Sequence, residues 1–307
     1  MSTEPLIIWR LIDGKPGHMQ QSLGLVRALQ AQVPCEILDI DVTRQPVGLM
    51  DVLLRRFPGA FMKRRPHLVI GAGHATHFGL LAAKRVTGAF TVVLMKPSLP
   101  QFLFDLVVVP EHDEVPLGPR IAMTRGVLNP MRPGNKQPGS VVMLLGGESK
   151  HAGWDDAAVL QQVEIVAASM PDRSQLTVAD SRRTPDSLSR TLHERYGERF
   201  QAWDACPPGW LADTLAVTET VWVTEDSVSM VYEALTAGCR VGLLKLPEAQ
   251  ADSRVMRGIS GLVDDGVVTR FNDWYSGQHG LTAPPAFNEA GRVAELVLRA
   301  LDRGGRK

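Results

Sequence analysis

Cysteine is scarce: Cys35, Cys206 and Cys239 are the three in 307 residues, and they stand far apart. They offer neither a disulfide framework nor a zinc-ligand spacing, and a reducing compartment fits that usage best. No uninterrupted apolar run approaches the ~20 residues of a bilayer span, and the N-terminus carries no basic stretch ahead of a signal core. The expectation is a cytoplasmic protein. Neither sign of charge dominates, since 33 Lys and Arg balance 33 Asp and Glu, so no global field recruits nucleic acid. Two nucleotide signatures are also missing. The chain has no P-loop pattern, and no complete Gly-x-Gly-x-x-Gly follows its first apolar segment, which weakens a dehydrogenase or epimerase reading.

What is present is a repeated alternation. Hydrophobic residues make up 44% and charged residues 21%, the balance of a globular chain long enough for two domains. Leu6–Ile12 is a short apolar segment closed by Gly14, Pro16 and Gly17, the pattern of a buried parallel strand. Met19, Leu23, Val26, Leu29 and Val33 then recur at helical spacing. Cys35–Ile40 reads as a second strand, residues 66–86 as strand, Gly-rich loop and helix, and residues 90–95 and 105–110 as further strands. Between Val127 and Ser140 three prolines and two glycines mark a linker. The alternation restarts with strands at 140–147, 175–180, 220–224 and 240–246, and helices near Ala157–Ser169, Ser187–Tyr196 and Ser229–Ala237. Asn288–Arg303 is a last amphipathic helix.

The expected fold class is therefore α/β, with two Rossmann-like domains whose parallel sheets face an interdomain cleft. The expected boundaries are 1–130 for the first domain, 131–139 for the linker and 140–307 for the second, its last helix packing back on the first.

Loops after strands carry the chemistry in such domains. In "VTEDSVSMVYEALTAG", residues 223–238, Asp226 or Ser227 can cap a helix, and Ser227 and Ser229 sit where hydroxyls and free N–H groups converge on phosphate. Glu233, one turn on, reaches for a ribose; an ordinary capped helix with a solvated Glu233 fits the spacing as well. Arg182 and Arg183 in "SRRTP" suit a diphosphate leaving group. Gly146 and Gly147 permit close backbone approach, and Ser149 and Lys150 follow them; a plain turn explains them equally. In the first domain Gly14, Lys15 and Gly17 precede His18, a residue able to take a proton near neutral pH. Gly73 and His74 belong to the matching loop, which also holds His77. A metal gets no ligand set, since Asp39-Ile40-Asp41 stands alone at a strand end.

The 223–238 stretch resembles the nucleotide-sugar segment of the GT-B glycosyltransferases, especially the lipid-II-forming N-acetylglucosaminyltransferase. "DGKPGH", "SRRTP", "WD" (203–204) and "VTEDSVSMVYEA" together resemble the bacterial branch of the mitochondrial-fission "elongate mitochondria" family. One departure stands out: where that family has Asn-Pro-Tyr after Trp-Asp, this chain has Gly209-Trp210-Leu211. The resemblance implies a metal-independent hexosyltransferase without a cofactor, taking a nucleotide-sugar as substrate in its second domain (140–307), an acceptor in its first (1–130), and His18 as base. "LLRRFPGAFMKRR", residues 53–65, mixes five basic residues with apolar ones. It suggests a membrane surface, a lipid-linked or envelope acceptor and peripheral association; a partly buried helix with basic flanks explains it nearly as well. The rival reading is a noncatalytic scaffold recruiting partners at a membrane. An epimerase leaves the second-domain phosphate features unexplained.

Overall fold

A computed structural model describes residues 4–58, 65–113, 115–116, 118–149, 152–172, 175–247 and 254–304. Its contacts divide the chain into two units: one runs to Pro130 and resumes at Asn288, and the other is Met131–Phe287.

In the first unit β1 (Leu6–Ile12), α1 (Pro16–Gln30), β2 (Cys35–Asp41), α2 (Leu49–Leu53), β3 (Leu68–Ala72), α3 (His77–Thr87), β4 (Phe90–Leu94), β5 (Leu106–Pro110) and β6 (Ile121–Thr124) follow in turn. The strands form a parallel sheet in the order β2-β1-β3-β4-β5-β6. β1 is apolar on both faces because both are covered: Trp9 and Leu11 belong to one core, Ile8 to the other. Arg10 interrupts that run, and its Nε donates to Asp39 Oδ1 on β2 at 2.7 Å. α1 starts at Pro16, where a missing N–H costs nothing. Gly88, at φ +75°, ends α3 in the left-handed conformation, its N–H returned to Lys84 O.

The second unit runs β7 (Gln137–Leu144), α4 (Asp156–Ser169), β8 (Leu176–Ala179), α5 (Asp186–Tyr196), β9 (Phe200–Gln201), α6 (Trp210–Val217), β10 (Thr218–Thr224), α7 (Val228–Thr236), β11 (Arg240–Leu244), α8 (Arg254–Asp264), β12 (Val268–Arg270) and α9 (Phe271–Tyr275). Its parallel sheet has the order β12-β11-β10-β7-β8-β9. Counted within the unit that is 6-5-4-1-2-3, the doubly wound order. Asp155 caps α4 by accepting from Ala157 N and Ala158 N.

Two boundaries differ from the sequence expectation. Residues 131–139 are no free linker: Met131 is buried in the second unit's core and β7 already starts at Gln137. The final helix α10 (Glu289–Gly304) counts with the first unit rather than with 140–287. Its Ala290, Val293, Ala294 and Val297 are buried with Leu25 and Leu29 of α1. Each valine so buried contributes roughly 1.5–2 kcal/mol, enough to hold the helix there. Among the described residues no helix is long and apolar enough to cross a membrane.

Candidate functional site

Strand order selects the loops. In the first sheet the winding reverses between β1 and β3, and in the second between β7 and β10. The crevice at such a point, beyond the carboxyl ends of the strands, is where doubly wound sheets bind ligands.

At the first reversal His18 stands in the opening turn of α1, not in the loop itself, with Lys15 at the N-cap. Its Nδ1 lies 2.8 Å from Asp13 Oδ2, and Asp13 Oδ1 accepts from Lys15 N at 3.2 Å. The Asp13 side chain is 2% exposed and that of His18 is 18% exposed. A carboxylate only accepts, so Nδ1 is the donor of this pair and Nε2 is turned away from Asp13. The imidazole lies against Gly73 of the β3–α3 loop, whose φ is +77°; a Cβ there would fall 2.2 Å from His18 Cε1. Only glycine leaves the ring its place. Gly14, at φ +74°, makes the turn, whereas Gly17 has open space around it. His74 is exposed beside Gly73. His77 is buried instead: its Nδ1 lies 3.2 Å from Ser98 Oγ, its ring packs on Phe104, and burial pushes its pKa down to about 4. It remains neutral and structural.

At the second reversal three loops are stitched together. Gly146 N donates to Thr224 Oγ1 at 2.7 Å and Gly147 N to Asp226 Oδ2 at 3.2 Å. Ser181 Oγ donates to Gly146 O at 3.0 Å, and Thr184 Oγ1 covers the same carbonyl. The space is so close that a Cβ on Gly146 would fall 2.2 Å from Asp226 Oδ2, and one on Gly147 1.8 Å from Arg183 O. Gly146 and Gly147 thus serve the loops' own packing.

One expectation changes here. Asp226 and Ser227 do not cap α7 through their side chains: Ser227 is the N-cap residue without a side-chain bond, and the fully buried Asp226 carboxylate holds Arg183 Nη2 at 2.6 Å. The Arg183 guanidinium also donates to Gly147 O at 3.0 Å, a clamp across the loops, while its side chain stays 41% exposed. Arg182 is exposed and its side chain has no partner among the described residues. Ser149 Oγ accepts from Ala152 N at 3.1 Å; Lys150 lies outside the described residues.

With no side-chain cap, the N–H groups of Val228, Ser229 and Met230 are left unbonded among the described residues. They create a positive helix end facing the loops. Ser229 is exposed, and Glu233 follows it at i+4 on the same helical face. The half-buried Glu233 carboxyl has no hydrogen bond or ion pair among the described residues, and burial pushes its pKa up to about 7. A desolvated, unpartnered carboxylate is an expense to folding that a ligand's hydroxyls would offset.

Sequence reasoning passed over two residues. Asp13 was visible only as the first letter of "DGKPGH"; its role depends on the α1 start bringing His18 back onto it. Trp203 belongs to the quoted "WD" pair. Its backbone N–H donates to Asp180 Oδ1 at 2.7 Å, and the residue is 46% exposed just past β9. Asp180 is itself anchored by Ser189 Oγ at 2.6 Å. No three His, Cys, Asp or Glu side chains converge among the described residues.

Known proteins share this architecture. A protein of Listeria monocytogenes assigned as a UDP-N-acetylglucosamine 2-epimerase superposes with a TM-score of 0.59 at 12% identity, covering 99% of this chain and 97% of its own. A UDP-glucosyltransferase from Polygonum tinctorium gives 0.51 at 13% identity, over 99% and 94%. The fold is accordingly GT-B-like, two Rossmann-like units in one chain. Uncharacterized protein RP120 of Rickettsia prowazekii (strain Madrid E) is 22% identical over 355 residues, spanning 96% of this chain and 98% of that protein. The model of the family described as Mitochondrial fission ELM1 matches residues 16–301, and the chain belongs to that family.

Proposed function

We propose that this protein is a metal-independent glycosyltransferase that moves a sugar from a nucleotide-sugar donor to a lipid-linked or envelope acceptor. The observation that carries the reading is the α7 end: unbonded N–H groups at 228–230, with an unpartnered, desolvated Glu233 on the following turn. That is a seat for a diphosphate followed by an acceptor for ribose hydroxyls. The UDP-sugar enzymes of the same fold support taking UDP as the first nucleotide to test.

In this reading the α7 N-terminus and Arg182 stabilise the charge that develops on the leaving diphosphate. Trp203 offers its exposed ring as a stacking face for the base. His18 Nε2 removes the proton from the attacking hydroxyl, and Asp13 stabilises the resulting imidazolium. The acceptor oxygen forms its bond to the anomeric carbon as the bond to the diphosphate breaks, a single displacement with inversion.

Isothermal calorimetry against UDP, GDP, CMP and dTDP, repeated with Glu233→Ala, tests it. One nucleotide should bind, and the substitution should weaken it. A folded sample that binds none of the four refutes the reading and leaves the scaffold. Epimerases share this fold, so the missing dinucleotide fingerprint does not exclude them. Conversion of a UDP-sugar to its 2-epimer without acceptor would transfer the same donor site to that reaction.

A further inference from the structure

We propose that the α2 ledge of the first unit docks on an anionic phospholipid surface. The inference stands apart from the transferase reading, because none of its residues belongs to the two loop clusters above. The sequence expectation centred on residues 53–65, of which 59–64 lie outside the described residues; the structure moves the apolar part four residues earlier. Val52 points inward and is buried in the core. Leu49, Leu53 and Leu54 are each 56% exposed and Met50 is 62% exposed. These are half of the eight large hydrophobics exposed among the described residues, gathered within six positions. Apolar side chains so concentrated mark an interaction surface.

Charge decides the occupant. Arg55 and Arg56 follow at once, both exposed and with no side-chain partner among the described residues. Arg55 takes φ +52°, a left-handed turn that sends Phe57 inward against Trp9 at 5.3 Å between ring centroids. Val52 and Phe57 therefore pin the ledge while the leucines, Met50 and the two guanidinium groups face out. The sequence has no acidic residue from Val52 through Phe104 but eight Lys and Arg, in a chain whose totals balance. α2 packs on α3, which adds the exposed Arg85. A protein partner would hold these arginines through carboxylates at set positions, and nothing here fixes the guanidinium groups in advance. Unpaired arginines beside a row of apolar side chains instead match a lipid interface, with acyl boundary below and diffuse phosphate charge at the level of the guanidinium groups.

The test is co-sedimentation of the full-length protein with vesicles of phosphatidylcholine alone or with about one-third phosphatidylglycerol. Two variants accompany it, Leu53→Asp with Leu54→Asp, and Arg55→Gln with Arg56→Gln, each checked by circular dichroism. The wild type should bind the anionic vesicles only, and each double variant should lower its partition about tenfold. High salt should weaken the wild type. Absence of binding to the anionic vesicles at low salt overturns the proposal, as does binding that neither folded variant alters. Concentration-dependent dimers in sedimentation equilibrium, abolished by the leucine variant, would overturn it too and assign the ledge to a second copy of the chain.

Discussion

Replacing Glu233 by Gln should make the protein more stable, by an amount that grows with pH. The carboxyl's ordinary pKa of 4.5 is raised to about 7 by burial alone. Each tenfold change in acidity corresponds to about 1.4 kcal/mol, so ionising Glu233 in the fold costs up to about 3 kcal/mol more than in the unfolded chain. The sign follows from proton counting. Below pH 4.5 both states hold the proton and the wild type bears no penalty. Between 4.5 and about 7 the folded state keeps a proton that the unfolded state has released, so stability falls as pH rises. Above about 7 the loss is complete. Glu233→Gln removes this dependence, and its stability minus that of the wild type should therefore climb by about 3 kcal/mol between pH 4.5 and 8. Urea unfolding followed by tryptophan fluorescence suits the measurement, since five of the six tryptophans lie in the second unit. The amide's own hydrogen-bond deficit shifts the whole curve but not its slope. An equal difference at pH 5 and pH 8 would refute the reasoning. A second arm connects it to function: a ribose hydroxyl donates best to the ionised carboxylate, so UDP affinity should rise through pH 7 in the wild type and stay flat in Glu233→Gln.

Three further outcomes are expected. Asp13→Asn should reduce turnover on the order of 100-fold, because the imidazolium loses its counter-charge, while calorimetry finds nucleotide affinity unchanged; an equal loss in affinity would contradict a role confined to His18. Gly147→Ala should destabilise the second unit by about 3 kcal/mol, since its Cβ meets the Arg183 carbonyl at 1.8 Å, whereas Gly17→Ala, in open helical space, should stabilise by up to about 1 kcal/mol; chemical denaturation of both variants checks the contrast. Trp203→Ala should weaken nucleotide binding about tenfold without moving Tm, and a Kd equal to that of the wild type would remove Trp203 from the base site.

Much of the fold was legible because buried parallel strands write themselves as short apolar runs. β1 matches its expected span residue for residue, and the other strands singled out shift by a few positions at their ends. β6, β9 and β12 escaped notice, as strands of four, two and three residues carry too few side chains to make a pattern. The helix of residues 289–304 was legible as an element expected to pack back on the first domain, but the α1 residues that receive it were not. Periodicity reports that a face is apolar and says nothing of which sheet covers it.

The site divides in the same way. Residue types and loop positions come from the sequence: glycines where backbones touch, His18 after the first strand, Glu233 one turn into its helix. Partnerships come only from the tertiary structure. Two adjacent arginines look alike in sequence, yet Arg183 pairs with the buried Asp226 while Arg182 has no side-chain partner among the described residues. Asp226 leaves its helix uncapped because a loop 79 residues away places Gly147 N within its reach. Hydrogen bonds and burial depend on distances that the chain sets only by folding. The sequence by itself determined which groups were available to each loop, and long-range packing decided which were paired within the fold and which were left without a partner among the described residues.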